Sequence, residues 1–366
     1  MASIPGSHFI ASTSTLPVNV VETSGGALPP PKAGEFNLEV WTGNPASAPT
    51  TPAQGYQGLA VLSHSGQKID LIAGAFAITD QGNGQDTINA KGDQETISGG
   101  TANVTLNLFG NNDVANGGGS DTISVFGQSD IVNGAGNDLI TVFGDHDSVD
   151  AGTGNDTITT FGDHETITAS SGNEVINVFG DHSQVTAGTG NDTINLFADH
   201  AVLTKSSGNE TVNVFGSHDS IGVGTGNADI DVVGDGNTVA GGLGNETVQV
   251  IGDDNVIDPA GGLSNVSLVG SHDTVGAGDH TGFSLANIGV VGDHFRFNDG
   301  LDTYFDTITG FDQSAGDRIH LTTESVSDAL AHSQQVNGGH DTLITLDDGS
   351  TILLKGVNQI DHSFFG

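Results

Sequence analysis

Eight carboxylates occupy one place in a recurring phrase: Asp86, Asp121, Asp138, Asp156, Glu174, Asp192, Glu210 and Glu246, each directly after an Asn, Gln or Ser. From Asp138 to Glu210 the spacing is a constant 18 residues. Glycines precede the acids, at Gly136, at Gly152 and Gly154, at Gly188 and Gly190, and at Gly244. Glycine permits a tight positive-φ turn and leaves backbone carbonyls facing a common centre, while the carboxylate adds charge. Oxygen ligands of that kind suit a hard cation, calcium above all. If successive turns stack, one ion takes oxygens from two of them. Ala228 leaves one position without its acid, and Ser170-Ser171 and Ser206-Ser207 replace Gly-Thr, so occupancy is expected to vary along the row.

Histidines 146, 164, 182, 200 and 218 recur with the same period, and His272 and His294 follow. The plainest reading is a row of solvent-facing turn residues. A transition-metal row would need rings on coils ~4.8 Å apart to lean together toward bonds of ~2.0–2.1 Å. Protonation of stacked imidazoles is expected to weaken the structure near pH 5–6. The Asn row at 137, 155, 173, 191, 209, 227 and 245 reads as turn chemistry. No His-Glu-x-x-His, no Gly-x-Ser-x-Gly and no acid or base constellation outside the repeat is present, so the expectation is a protein that is not an enzyme.

A fixed period of this length marks a repeat architecture, which must hold the carboxylates in line. Asp156-Thr-Ile-Thr-Thr-Phe161 alternates polar and apolar residues, the pattern of a strand with one buried face. Ile140, Ile158, Ile176, Ile194 and Val212 repeat at 18, and so do Val149, Ile167, Val185, Leu203 and Ile221. Two strands per coil, each ending in a glycine-rich turn, predict an all-β fold, a parallel β-roll or β-solenoid with coils of about 18 residues. The Phe series at 109, 126, 143, 161, 179, 197 and 215 is expected to stack at a corner of its interior.

The solenoid is read over 81–295, beginning irregularly near 82–86 and slipping before Val291. Residues 1–55 carry eight of the nine prolines and read as an arm that reaches a neighbouring subunit. Residues 56–80 read as N-terminal cap strands. Residues 296–366 break the period and read as a small β-rich closing module, with a short helix at 325–332 and a hairpin across Asp348-Gly349.

Forty-five acids against 7 bases set the net charge at -38, which excludes nucleic acid as a partner and makes the chain repel itself unless cations bind. With no cysteine there is neither a disulfide nor a thiolate metal site. No apolar run is long enough to span a membrane, and the first residues lack the charged and apolar regions of a secretory signal.

The phrase resembles the calcium-binding nonapeptide of the RTX family, Gly-Gly-x-Gly-x-Asp-x-apolar-x. Residues 151–159, Ala-Gly-Thr-Gly-Asn-Asp-Thr-Ile-Thr, match at every position but the first, and 241–249 match with Glu for Asp. Asp306-Thr-Ile-Thr-Gly-Phe-Asp312 with Gly316-Asp-Arg-Ile-His-Leu321 resembles the module that follows such repeats. The resemblance implies a parallel β-roll with calcium between coils, export by type I secretion machinery, and an extracellular or cell-surface location in a Gram-negative bacterium. Family members usually carry the nonapeptide in both halves of a coil. Here the second half reads Phe-Gly-Asp-His, so one main calcium row is expected. The outward Thr and Asn rows also resemble ice-binding regions of bacterial adhesins. The leading expectation is a self-associating structural protein of a surface layer, matrix or filament; the alternative is an ice-binding or carbohydrate-binding adhesin module that touches cell-surface glycans.

Overall fold

The computed structural model describes residues 2–4, 8–12, 16–44, 47–62, 68–73, 76–80, 85–259, 261–277, 282–287, 292–297 and 305–366. Residues 82–84 and Val291, where the repeat was read to begin and to slip, lie outside them. Contacts divide the chain into two compact units, Met1–Gln184 and Val185–Gly366. Each is a parallel β-solenoid of stacked coils of about 18 residues, and the α-helix Val326–Ala331 is the only one among the described residues.

In the first unit the strands Leu139–Phe143, Thr157–Phe161 and Val175–Phe179 pair in parallel, with Ile140 beside Ile158 and Ile158 beside Ile176. Side chains alternate across a strand, so Ile140, Val142, Ile158, Ile176 and Val178 all point inward and are at most 1% exposed. From the facing sheet, Ser148–Thr153 and Thr166–Ser171 contribute Val149 and Ile167, also at most 1% exposed. The second unit repeats this plan with Glu210–Phe215, Ala228–Val233 and Glu246–Ile251 on one side and Ser220–Gly222, Thr238–Ala240 and Val256–Asp258 on the other. Burying such a side chain contributes about 1.5–3 kcal/mol, and stacking lets each coil cover the apolar residues of the next.

The same alternation corrects the placement of the phenylalanines. Val142 and Phe143 are adjacent in one strand, so if the first faces in, the second faces out. Phe109, Phe126, Phe143, Phe161 and Phe179 lie on the outer face, 37–41% exposed, with successive rings stacked at 4.8–4.9 Å.

Within the stretch read as an arm, the described strands Val18–Thr23 and Phe36–Trp41 pair within the chain. Val18–Thr23 pairs in parallel with Phe36–Trp41, Val18 against Phe36, and Phe36–Trp41 pairs with Gly58–Leu62. Leu38 and Val40 are fully buried. Pro17, Pro29, Pro30, Pro31, Pro49 and Pro52 fall in the connections, where no ladder donor is needed, and polar contacts tie those connections down. The Tyr56 hydroxyl donates to the Pro29 carbonyl at 3.0 Å, the Lys32 N–H to Asn37 Oδ1 at 2.8 Å and the Ala53 N–H to Glu39 at 3.0 Å.

At the other end, Ser325 caps the helix Val326–Ala331 by accepting from the Asp328 N–H at 3.1 Å. Asp341–Thr345 and Thr351–Lys355 form an antiparallel hairpin whose second strand pairs with Phe305–Thr309 and covers the edge of that sheet. Among the described residues no helix is long and apolar enough to cross a membrane.

Candidate metal centre

Each acid of the recurring phrase starts or directly precedes an inner-facing strand, and the alternation that turns Ile158 inward turns Asp156 inward too. Asp86, Asp121, Asp138, Asp156, Glu174, Asp192, Glu210 and Glu246 are 1–5% exposed. One carboxylate oxygen is held by the backbone of the adjacent coil: the Asp121 N–H donates to Asp138 Oδ1 at 2.7 Å and the Asp138 N–H to Asp156 Oδ1 at 2.8 Å. The other oxygen, Oδ2 of both Asp138 and Asp156, is buried with no hydrogen-bond partner. Burial pushes Asp138 up to about 6, and the charges of Asp121 and Asp156 add to it against the pull of the Asp121 N–H. Burial likewise raises Asp156 and Glu246.

The glycines bring carbonyls to these oxygens. Gly136, Gly152 and Gly190 take positive φ of 109°, 73° and 146°. A Cβ on Gly154 would lie 1.6 Å from the Gly136 oxygen, one on Gly244 1.8 Å from the Gly226 oxygen, and one on Gly134 2.3 Å from Asp138 Oδ2. The turns therefore stack so closely that only hydrogen fits between a carbonyl and the α-carbon of the next coil. The carbonyl of Gly188 accepts from the ammonium of Lys205.

The other half of the coil holds a second row of acids that the sequence reading missed. Asp113, Asp130, Asp147 and Glu165 in the first unit and Asp273 in the second are 0–1% exposed. The Asp113 N–H donates to Asp130 Oδ1 and the Asp130 N–H to Asp147 Oδ1, each at 2.7 Å. Oδ2 of Asp113, Asp130, Asp147 and Asp273 and both oxygens of Glu165 are buried without hydrogen-bond partners. Burial, reinforced by neighbouring acids, pushes Asp113 and Asp130 up to about 6, Asp147 and Asp273 to about 7 and Glu165 to about 8. One main calcium row was expected because the second half lacks the later glycine of the nonapeptide. The structure bends that turn with a different residue: His146, His164 and His182 take φ of 60–65°, the left-handed conformation that glycine would otherwise supply. The missed signal was positional. Asp147 sits two residues before the inward Val149, as Glu165 does before Ile167, which is the relation of Asp156 to Ile158. The row is interrupted at Ser183, Ala201, Asn237 and Asn255.

The histidine side chains themselves are exposed, and the rings stack almost flat, His146 on His164 at 4.8 Å and 1°, His164 on His182 at 5.0 Å and 6°. Rings so nearly parallel do not lean toward a shared ion. The asparagine row acts within the turns, since Asn137 Oδ1 accepts from the Asn155 N–H at 2.7 Å and Asn155 Oδ1 from the Asn173 N–H at 2.8 Å.

The donors in both rows are carboxylate and carbonyl oxygens, with no sulfur and no imidazole among them, and several of the buried oxygens have no partner. That set fits a hard cation such as calcium. Asp138 and Asp156 with the stacked glycine carbonyls would hold it in the first row, and Asp113, Asp130, Asp147 and Glu165 in the second. Bound there, it would supply the positive charge that lets enclosed carboxylates ionise.

Fold and site together define a parallel β-solenoid lined by two rows of buried acids, an arrangement that fits the β-roll implied by the nonapeptide. No protein-family model matches the chain, and no curated protein does. Among solved structures, the extracellular lipase LipA from Serratia marcescens matches at 17% identity and a TM-score of 0.26, over 53% of this chain and 39% of that one. So slight a likeness transfers neither fold nor activity. One expectation is corrected: the lack of a catalytic motif was read as excluding an enzyme, and the protein matched here is a lipase. The physical reason is simple, since the residues of a stacking coil carry no information about catalysis elsewhere in a chain.

Proposed function

We propose that the chain is a secreted, calcium-dependent structural protein, a subunit of a surface layer, extracellular matrix or filament, that folds as calcium fills its acid rows. The observation that carries this reading is the set of buried, unpartnered carboxylate oxygens at Asp113, Asp130, Asp138, Asp147 and Asp156. Enclosing ionised carboxylates without a counter-charge is strongly unfavourable, and a net charge of -38 adds repulsion over the whole chain. A hard cation relieves both. The chain then stays extended where calcium is scarce and folds where it is plentiful, so the binding free energy becomes folding free energy. Such a switch suits export by type I secretion machinery to the surface of a Gram-negative bacterium.

Self-association is supported by the exposed stripe of phenylalanines. Their faces are spent on one another at 4.8–4.9 Å, leaving ring edges outward, which favours contact with another apolar surface over stacking on a sugar ring. The test is circular dichroism and electron microscopy of the purified chain with calcium and with chelator. At pH 8, where the enclosed acids ionise, calcium is expected to bring both the β signal and ordered polymers, and chelator to abolish both. A full β signal in chelator overturns the calcium reading, and calcium-loaded protein that stays monomeric overturns the structural role.

A further inference from the structure

Lys205 is a lysine in an acid row. It is 4% exposed, with its side chain wholly enclosed. Four oxygens surround its ammonium. It donates to the carbonyls of Gly188 and Ser207, the latter at 2.6 Å, and lies 3.0 Å from Asp192 Oδ2 and 3.4 Å from Glu210 Oε1. Two carbonyls and two carboxylates from two successive coils make up this cage, and Nζ sits among them. Burial raises Glu210, and the charge of Lys205 pulls it back down.

The first unit contains the same cage without the amine. Counting back 36 residues, Gly188, Lys205, Ser207, Asp192 and Glu210 become Gly152, Ala169, Ser171, Asp156 and Glu174; counting back 54, they become Gly134, Ala151, Thr153, Asp138 and Asp156. The backbone is equivalent, since the Gly190 N–H donates to the Ser207 carbonyl at 3.0 Å as the Gly154 N–H does to Ser171 at 2.9 Å and the Gly136 N–H to Thr153 at 3.0 Å. Ala151 and Ala169 are at most 1% exposed, and their methyl groups stop short of the oxygens. There, Oδ2 of Asp138 and of Asp156 is buried without a hydrogen-bond partner. One position in the coil thus decides what faces the carboxylates: alanine leaves room for an ion, and lysine brings a cation of its own.

We propose that Lys205 is a built-in replacement for a divalent cation, its ammonium filling between Asp192 and Glu210 the oxygen cage that takes a metal in the alanine-bearing coils. This coil then needs no metal, and the protein binds one ion fewer than its acids suggest. The inference rests on the calcium reading above.

The experiment counts calcium on the full chain by native mass spectrometry at saturating calcium, with circular dichroism to check folding. Lys205→Ala recreates the alanine-bearing cage and is expected to gain one calcium. Lys205→Met fills the space without charge and is expected to gain none. The reciprocal variant, Ala169→Lys, places an amine between Asp156 and Glu174 and is expected to lose one calcium; it decides the matter if Lys205→Ala does not fold. Calcium on the native chain with an unchanged count in folded Lys205→Ala, or in Ala169→Lys, overturns the replacement alone. No calcium on any of the proteins overturns the calcium reading and the replacement with it.

Discussion

Removing the metal should reverse the ordinary response of an acidic protein to pH. In the first unit burial lifts Asp147 from 3.8 to about 7 and Glu165 from 4.5 to about 8. A carboxylate whose folded-state pKa lies above its unfolded value favours the folded state below the unfolded pKa and loses that contribution as pH rises through the folded one. The metal-free chain should therefore be more stable at pH 5 than at pH 8. For Asp147, a shift of about three factors of ten in proton affinity at ~1.4 kcal/mol each, halved for solvent screening, makes the ionised form cost about 2 kcal/mol. In a unit of this size that one residue moves the melting temperature by about 4–8 °C. Asp113, Asp130 and Asp138, all raised to about 6, act in the same direction at lower pH. With calcium present the sign inverts, because protons and metal compete for the same oxygens.

The assay is the β signal and, wherever it is present, its thermal melting, followed by circular dichroism between pH 5 and 8 in chelator and in excess calcium. Repulsion among surface acids would also weaken the chelated protein as pH rises, and salt separates the two causes. At 1 M ionic strength the screening length falls to about 3 Å, which quenches surface repulsion and leaves the burial of Asp147 untouched. The chelated protein should keep its falling profile in high salt. A profile that is flat or rising, or that falls only at low salt, would refute the burial of these acids as its cause.

Further substitutions separate interior from exterior. Ile158→Ala should cost about 2–5 kcal/mol in chemical unfolding, whereas Phe161→Ala, at a side chain 39% exposed, should cost about 1 kcal/mol or less; equal losses would mean that the ring is interior after all. Thr160 is fully buried in the slot that Val142 and Val178 fill in adjacent coils, and its Oγ1 has no partner, so Thr160→Val should raise stability by about 1–2 kcal/mol. A Cβ on Gly172 would lie 1.4 Å from the Gly154 oxygen and 2.4 Å from Glu174 Oε1. Gly172→Ala should accordingly lower both stability and the calcium count, and a variant that melts like the native protein would count against the stacked turn. Glu165→Gln should stabilise the chelated protein at pH 8 and remove metal from the second row, read by melting and by ion counting.

The period, the parallel stacking and the inward ladders of Ile140, Ile158 and Ile176 were legible in the sequence, because repetition multiplies one weak strand signal many times. What failed to show were features set by position within a coil. Phe143 looked like core by composition, but its place next to the inward Val142 turns it out. Asp147 looked like one more acid in a polar turn, but its place two residues before Val149 turns it in. Proline content at 1–55 suggested an arm that reaches a neighbouring subunit, and among the described residues Pro29, Pro30 and Pro31 lie in a connection between strands that offset Val18 from Phe36 by 18 residues, the same step as the repeat. By residue type Lys205 is one of 7 bases in an acidic chain, and the acids on either side of it, Asp192 and Glu210, satisfy the spacing of a metal row. Only the stack shows that residue 205 points at their oxygens where Ala151 and Ala169 leave space. Acids at a regular spacing therefore do not by themselves count ions in this fold; the inward residue five positions before Asp156, Glu174 and Glu210 sets whether the cage between two coils is open, and in the coil ending at Glu210 it is closed by an amine.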